Sequence, residues 1–226
     1  MQHRDPQTIT ALWRQAATAH GPRPFVTDLR DGNRTELSGH AFTQWVHKVA
    51  NYLEDELPPQ PRIALRLPAT WLWPVCVAAV AEIGGTLVEA DADAVFSEEL
   101  LEAPAVDVFA VRVHPMALPF GTPLPQRHLD FFLEVRSGAD FRTPAAGDPQ
   151  HVLTETTAGT MREADCIDRW SPAPTAQRLL VRRRSAAALD LGAVGPLAIV
   201  PWLAGAALVI ADPGVDVSRE GAFVEV

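Results

Sequence analysis

The stretch RIALRLPATWLWPVCVAAVAEIGGTLVEA, Arg62 to Ala90, leaves this chain few folds to choose from. It opens with an alternating, β-rich run, Arg62 to Leu67. Thr70 stands where a helix would be capped, and Trp71, Trp73, Val77, Val80 and Ile83 follow as an apolar helical run. Gly84 and Gly85 break that run, and Thr86 to Ala90 is β-rich again. A strand, a crossover of helix length and a second strand predict a parallel pair, because only a long crossover returns the chain in the same direction. The expectation is an α/β protein with a mainly parallel sheet flanked by helices.

The flanking sequence extends the pattern. Thr8 to Ala19 reads as a helix with Leu12 and Ala16 on one face and Gly21 as its stop. Phe25–Arg30 and Thr35–Leu37 flank Asp31-Gly32-Asn33, a hairpin signal. Ser38 caps a second helix with Phe42, Trp45, Val46, Val49 and Leu53 at helical spacing, ended by Pro58, Pro59 and Pro61. Beyond Ala90, Ser97–Ala103 reads as a short helix and Val106–Val113 as a third strand. The proline-rich segment from His114 to Gly147 has little pattern; within it Phe131–Arg136 is a helix or an edge strand. Thr160–Trp170 reads as a helix, Arg178–Arg184 as a strand, Gly195–Leu203 as a helix and Ala207–Ile210 as the last strand.

At 226 residues, 47% of them hydrophobic and 21% charged, the chain is long enough for one ordinary globular domain, 1–226. A net charge of -9 excludes nucleic acid and anionic membrane as principal partners, since both require a basic face. Leu191 to Ala211 carries no charge over a length that could span a bilayer, but Gly192, Gly195, Pro196, Pro201 and Gly205 interrupt it, so a buried helix and strand are expected instead. The start, MQHRDPQTIT, lacks the apolar core of a signal peptide, and a cytoplasmic location is expected. Cys76 reads as a buried hydrophobe; Asp165 and Asp168 around Cys166 would raise its thiol pKa.

Three blocks together carry a family resemblance: TELSGHAFTQWVHKVANYLEDEL followed by RIALRLPATW; VCVAAVAEIGGTLVEA; and RLLVRRRSAAALDLGAVGPLAIVPWLAGAALVIAD. In this order they resemble the N-terminal part of the large lobe of the adenylate-forming superfamily, the AMP-binding acyl-CoA synthetases and luciferases. There a "leucine-proline-asparagine-serine" stretch precedes an apolar helix, and "alanine-glycine-alanine" leads into a strand. The chain also resembles a short actinobacterial family related to those enzymes.

The resemblance implies a phosphate-binding loop reading threonine-serine-glycine-threonine-threonine-glycine-any-proline-lysine-glycine. Its counterpart here is TETTAGTMRE, in which Thr154, Thr157 and Gly159 match and Arg162 replaces the lysine. These four are the candidate cofactor-binding residues, with ATP or AMP as the ligand the resemblance implies. Glu155, however, replaces the serine, and a carboxylate beside a triphosphate costs about 1–4 kcal/mol near a surface. Thr156 replaces a glycine that would admit close backbone approach. The plainer reading is a capped turn before a helix, with Thr160 as N-cap and Glu163 as its partner. The only lysine, Lys48, lies in the second helix, beside His47 on what reads as its solvated face. The family's adenine motif, ribose-binding aspartate, hinge and catalytic lysine would all lie beyond the last residue, so no catalytic residue is assigned.

Other clusters are weaker. The seven histidines show no ligand spacing, and no metal or bound cofactor is expected. Asp91, Asp93, Glu98 and Glu99 lack the spacing of a calcium loop and fit a strand-end turn followed by helix-start carboxylates. Trp71 and Trp73 fit core packing better than an acyl pocket. Arg182 to Arg184 make a weak anion site, since neighbours on a strand face opposite ways, and Ser185 lacks the glycines of a nucleophile elbow. The expected function is a non-catalytic remnant of the lobe, kept as a binding or regulatory module. The alternatives are a nucleotide- or acyl-binding protein, or a ligase that completes its site with a partner chain. Surface uncovered by truncation would favour a protein partner or a homodimer.

Overall fold

A computed structural model describes residues 8–114, 117–143, 145–183, 188–221 and 223–225. In chain order the elements are α1 (Ile9–His20), β1 (Pro24–Arg30), β2 (Asn33–Ser38), α2 (Gly39–Glu56), β3 (Arg62–Arg66), α3 (Leu72–Glu82), β4 (Thr86–Val88), β5 (Ala94–Ser97), β6 (Asp107–Ala110) and β7 (His128–Asp130). They continue with α4 (Phe131–Arg136), β8 (Val152–Thr156), β9 (Gly159–Arg162), α5 (Glu163–Arg169), β10 (Arg178–Arg182), α6 (Val200–Ala204), β11 (Ala207–Ala211) and β12 (Val224–Glu225). A five-stranded sheet runs β12-β10-β11-β1-β2 and a seven-stranded sheet β7-β6-β5-β3-β4-β8-β9. Each is parallel except for one hairpin strand at its edge, β2 in the first and β9 in the second.

The helices follow from local chemistry. The Thr8 hydroxyl accepts the Ala11 N–H at 3.2 Å, and Ile9, Leu12, Trp13, Ala16 and Ala17 turn one face of α1 inward. Ser38 caps α2 in the same way, at 3.1 Å from the Ala41 N–H. The two helices meet end to start: a Cβ on Gly39 would stand 2.1 Å from the Ala17 carbonyl oxygen, so only glycine permits the approach. Helix α3 is buried at every position from Leu72 to Glu82, as a helix apolar on all sides must be. It packs on β4, α1 and α2, while α1 and α2 pack on β1. The helices thus form the filling between the two sheets, and one core joins Val26 and Leu208 of the first sheet to Ile63 and Phe109 of the second.

Several expectations require correction. Thr70 does not cap α3 through its side chain: Trp71 is the N-cap residue and the Thr70 hydroxyl is buried without a partner. Ser97–Ala103 is not a helix; Ser97 ends strand β5, and Ala103 has φ 44, outside the helical range. The carboxylates Asp93 and Glu98 therefore serve other ends. Asp93 accepts the Arg62 N–H at 2.7 Å and Glu98 pairs with Arg30 at 3.2 Å. Thr160 does not begin a helix but lies in β9, and α5 starts at Glu163 with Arg162 as its N-cap residue.

His47 and Lys48 are not a merely solvated face. The Lys48 ammonium donates to the carbonyls of Arg136 at 3.1 Å and Gly138 at 2.6 Å, and His47 Nδ1 lies 3.2 Å from the Asp140 carbonyl. The single lysine thus clasps the C-terminal end of α4, where a cation is favoured. Phe131–Arg136 is the helix of the two alternatives. Trp71 and Trp73 are core residues: Trp71 stacks on Phe132 at 6.0 Å, and the Trp73 indole donates to the Leu67 carbonyl at 2.9 Å. Leu191–Ala211 divides into a 3-10 turn, a π-helical turn running into α6, and β11. No helix among the described residues is long and apolar enough to cross a membrane. Arg184 and Ser185 lie outside the described residues.

Arg183, 3% exposed, fastens this assembly together. It donates to Asp28 at 2.7 Å, to the Ala69 carbonyl at 2.7 Å and to Asp212. Removing one member of a buried ion pair strands the other and typically costs about 3–5 kcal/mol. Asp28→Ala should lose stability of that order in urea unfolding; a loss under about 1 kcal/mol would show that the pair does not hold the sheets.

Candidate functional site

The loop singled out in the sequence folds as a tight hairpin. Strands β8 and β9 pair from Val152↔Arg162 to Thr156↔Gly159, leaving Thr157 and Ala158 as the turn. Gly159 has φ 137, a conformation that demands glycine, so this match to the motif is explained by the turn itself. The Thr156 hydroxyl accepts the Ala158 N–H at 3.1 Å and donates to the Gly159 carbonyl at 3.2 Å. The Thr157 N–H donates to Glu89 Oε2 at 2.9 Å.

The four candidate residues are thereby separated. Thr157 and Gly159 stand at the exposed tip, while Thr154 is buried in β8 beside Leu87 of β4. Arg162 lies at the far end of β9, exposed, with its N–H 3.4 Å from Asp165 Oδ2. Glu155, expected to repel an anion, is held by Arg62 through two hydrogen bonds of 2.9 and 3.0 Å. The Arg62 guanidinium holds its carboxyl below the usual carboxylate range. Arg62 and Glu89 were not legible as site residues: they reach the hairpin only because β3, β4 and β8 lie side by side.

Behind the hairpin is a cleft of about 460 Å³. Thr154, Thr156 and Gly159 line it together with the apolar residues Met161, Cys166 and Trp170, Met161 lying across the hairpin from Thr154. Gly195 makes room for Trp170, since a Cβ there would lie 2.2 Å from the Trp170 ring. Arg169 stands at the cleft with its guanidinium 5.8 Å from the Trp170 ring centre. Burial, and then the nearby Asp165 and Glu163, push the Cys166 thiol up to about 12, so it is not a thiolate at neutral pH. Cys76 and Cys166 are both free and buried. Among the described residues no three His, Cys, Asp or Glu side chains converge as a metal site.

One buried carboxylate adjoins the site. Glu163, first residue of α5 and 1% exposed, accepts the Ile9 N–H at the start of α1 at 2.8 Å. Burial pushes its carboxyl up to about 7; the Ile9 N–H opposes this and Asp148 adds to it.

The α/β fold, with its mostly parallel sheets, is similar to that of the adenylate-forming enzymes. Solved structures supply the particulars. A Brucella canis acyl-CoA synthetase matches with a TM-score of 0.70 at 14% identity, over 94% of this chain and 44% of that one. An anthranilate CoA ligase in complex with anthranoyl-AMP matches with a TM-score of 0.69 at 13% identity, over 94% of this chain and 46% of that one. A Mycobacterium tuberculosis fatty acyl CoA synthetase matches with a TM-score of 0.64 at 13% identity, over 93% and 45%. This chain therefore spans less than half the length of each. No protein-family model matches the sequence, and no curated protein does.

The Glu163 environment makes stability depend on pH with a definite sign. Its folded pKa of about 7 exceeds the ordinary 4.5, so the folded state prefers the neutral carboxyl. That contribution is fully present below the ordinary value and is lost as pH rises through 7. Urea midpoints should fall less between pH 5 and pH 8 for Glu163→Gln than for the wild-type chain; identical slopes would show that this carboxyl is not the source.

Proposed function

We propose that this chain is a non-catalytic relative of the adenylate-forming lobe, retained as a binding or regulatory module in the cytoplasm. The observation that carries the reading is the hydrogen bonding of the hairpin. A phosphate loop works by presenting several free backbone N–H groups to an anion. Here the turn has two residues, and both of its N–H groups are taken, Thr157's by Glu89 and Ala158's by Thr156. The Glu89 carboxylate stands where an incoming phosphate would have to displace a negative charge. The hairpin thus satisfies itself without a nucleotide.

The cleft favours a second reading, a nucleotide- or acyl-binding protein or a ligase whose site is completed by a partner chain. An apolar floor with one arginine at its side suits an organic acid better than a bare phosphate. Protein partners, including a second copy, are compatible with either reading.

A thermal-shift titration separates the two. With ATP or AMP, with and without magnesium, the first reading expects no shift for the wild-type chain. Occupancy at a hundred times Kd would instead stabilise by about 2.7 kcal/mol, several degrees in Tm. A shift abolished by Arg162→Ala would restore a nucleotide site at the hairpin, and one abolished only by Arg169→Ala would place the ligand in the cleft. ATP-dependent turnover of a carboxylic acid by the purified chain would sink the non-catalytic reading.

A further inference from the structure

The outer face of the five-stranded sheet is closed by the chain that follows β11. Along that strand Leu208 and Ile210 join the common core, whereas Val209 and Ala211 belong to a separate apolar cluster with Leu29 and Leu180. Alternation along a strand puts these four on the face turned away from the core. Residues 213–221 lie over them. Val217 completes the cluster and Val215 packs against it. Val217 and Glu220 are the buried residues of the segment; Pro213, Gly214, Asp216, Ser218, Arg219 and Gly221 are exposed.

The segment is tied down by charge. Glu220, 5% exposed, lies between arginines from two strands. Arg34 of β2 donates to its carboxylate at 3.0 and 3.2 Å, and Arg178 of β10 at 3.1 Å. In the order β10-β11-β1-β2 those strands are three places apart, so one carboxylate fastens a width of about 14 Å at ordinary strand spacing. Arg182, on the same face of β10 as Arg178, donates to the Val215 carbonyl at 2.9 Å. The backbone N–H groups of Val215, Glu220 and Gly221 donate to Asp212, Val217 and Ser218, and so bind the segment to itself and not to the sheet. Gly214 and Gly221 bound it with φ of 76 and 82, backbone that glycine takes freely.

The hydrogen bond from Arg34, and then the charges of Arg34 and Arg178, hold the Glu220 carboxyl below the usual carboxylate range against the effect of burial. Glu36 shares Arg34 from β2. The strands between, β11 and β1, present Val209, Ala211 and Leu29 to the segment. A carboxylate held in this way contributes fully at neutral pH, and its contribution is lost as pH falls through the lowered value.

We propose that residues 213–221 are a releasable strap latched by Glu220: when that carboxylate loses its charge the strap lifts as a unit and uncovers Leu29, Leu180, Val209 and Ala211, while the sheet beneath stays folded. Segments with few buried apolar contacts open below the global unfolding free energy. The strap brings one buried apolar side chain, Val217, and its cluster is separate from the common core. It covers the sheet opposite to the one that carries the β8–β9 hairpin, so the proposal does not depend on nucleotide binding there.

Hydrogen–deuterium exchange of the full chain at pH 7 tests this, read at residues 215–221 and at β11. Glu220→Gln should speed exchange across 215–221 at least tenfold, leave β11 unchanged, and raise the fluorescence of anilinonaphthalene sulfonate, a dye that reports exposed apolar surface. Arg178→Gln, which removes one of the three hydrogen bonds, should act in the same direction and less. The control Glu36→Gln, which takes a carboxylate from Arg34 without touching the strap, should leave 215–221 unchanged. Unaltered strap exchange in Glu220→Gln would overturn the proposal. So would equal acceleration at β11, which would show that Glu220 holds the sheet itself, or faster strap exchange without dye binding. If Glu220→Gln does not fold, Arg178→Gln decides by the same pattern.

Discussion

A guanidinium with almost no contact to water is tolerated only if its donors are matched, and Arg183 draws its partners from three places in the chain. Asp28 lies on β1, Asp212 follows β11, and the Ala69 carbonyl belongs to the turn that leads into α3. Asp28 also accepts the Trp71 N–H at 3.0 Å, at the entry to that helix. One cation therefore fixes the carboxyl edge of the five-stranded sheet against the start of α3. Because α3 is buried on every side, placing its first turn places the sheet and helices packed around it. The unfolded chain loses nothing by leaving these groups hydrated, so the network favours one arrangement of the sheets more than it adds to stability.

The elements legible in the sequence are those whose cause is local. Thr8 and Ser38 cap their helices as the spacing predicts, Asp31-Gly32-Asn33 turns the β1–β2 hairpin, and the strand–helix–strand unit forms a parallel pair. The elements missed have non-local causes. β5, β7 and β12 are only two to four residues long, too short for any period, and exist because a neighbouring strand offers a free edge. The helix expected at Ser97–Ala103 fails where Ser97 pairs with Arg66 and Pro104 follows Ala103; strand pairing and proline outweigh the helix-forming run of glutamate and leucine.

Of the four candidate residues, Thr157 and Gly159 sit at the hairpin turn, whereas Thr154 and Arg162 lie along its strands. The residues that decide its chemistry, Glu89 and Arg62, lie 68 and 93 positions from their partners Thr157 and Glu155. No local pattern announces such a pairing, and it becomes visible only when β3, β4 and β8 are set side by side. Glu155 shows how a substitution is misread in isolation. A carboxylate in a phosphate loop looks like repulsion, yet here it is one half of an ion pair between neighbouring strands.

That pair also explains why restoring single residues of the motif would not rebuild the loop. A lysine at position 162 would stand at the far end of β9, paired across from Val152 and away from the turn. A serine at position 155 would release Arg62, which already donates to the neighbouring Asp91 carbonyl. A glycine at position 156 would remove the hydroxyl that holds both Ala158 and Gly159. Each change meets a contact made within the protein, because the strand register closes the turn after two residues. Opening the turn to an anion requires that register to slip, and a slip of one residue would exchange the two faces of β9. Met161, which packs against the core, would then face outward. The shape of the hairpin is thus built into sheet pairing and burial, and no single side chain accounts for it.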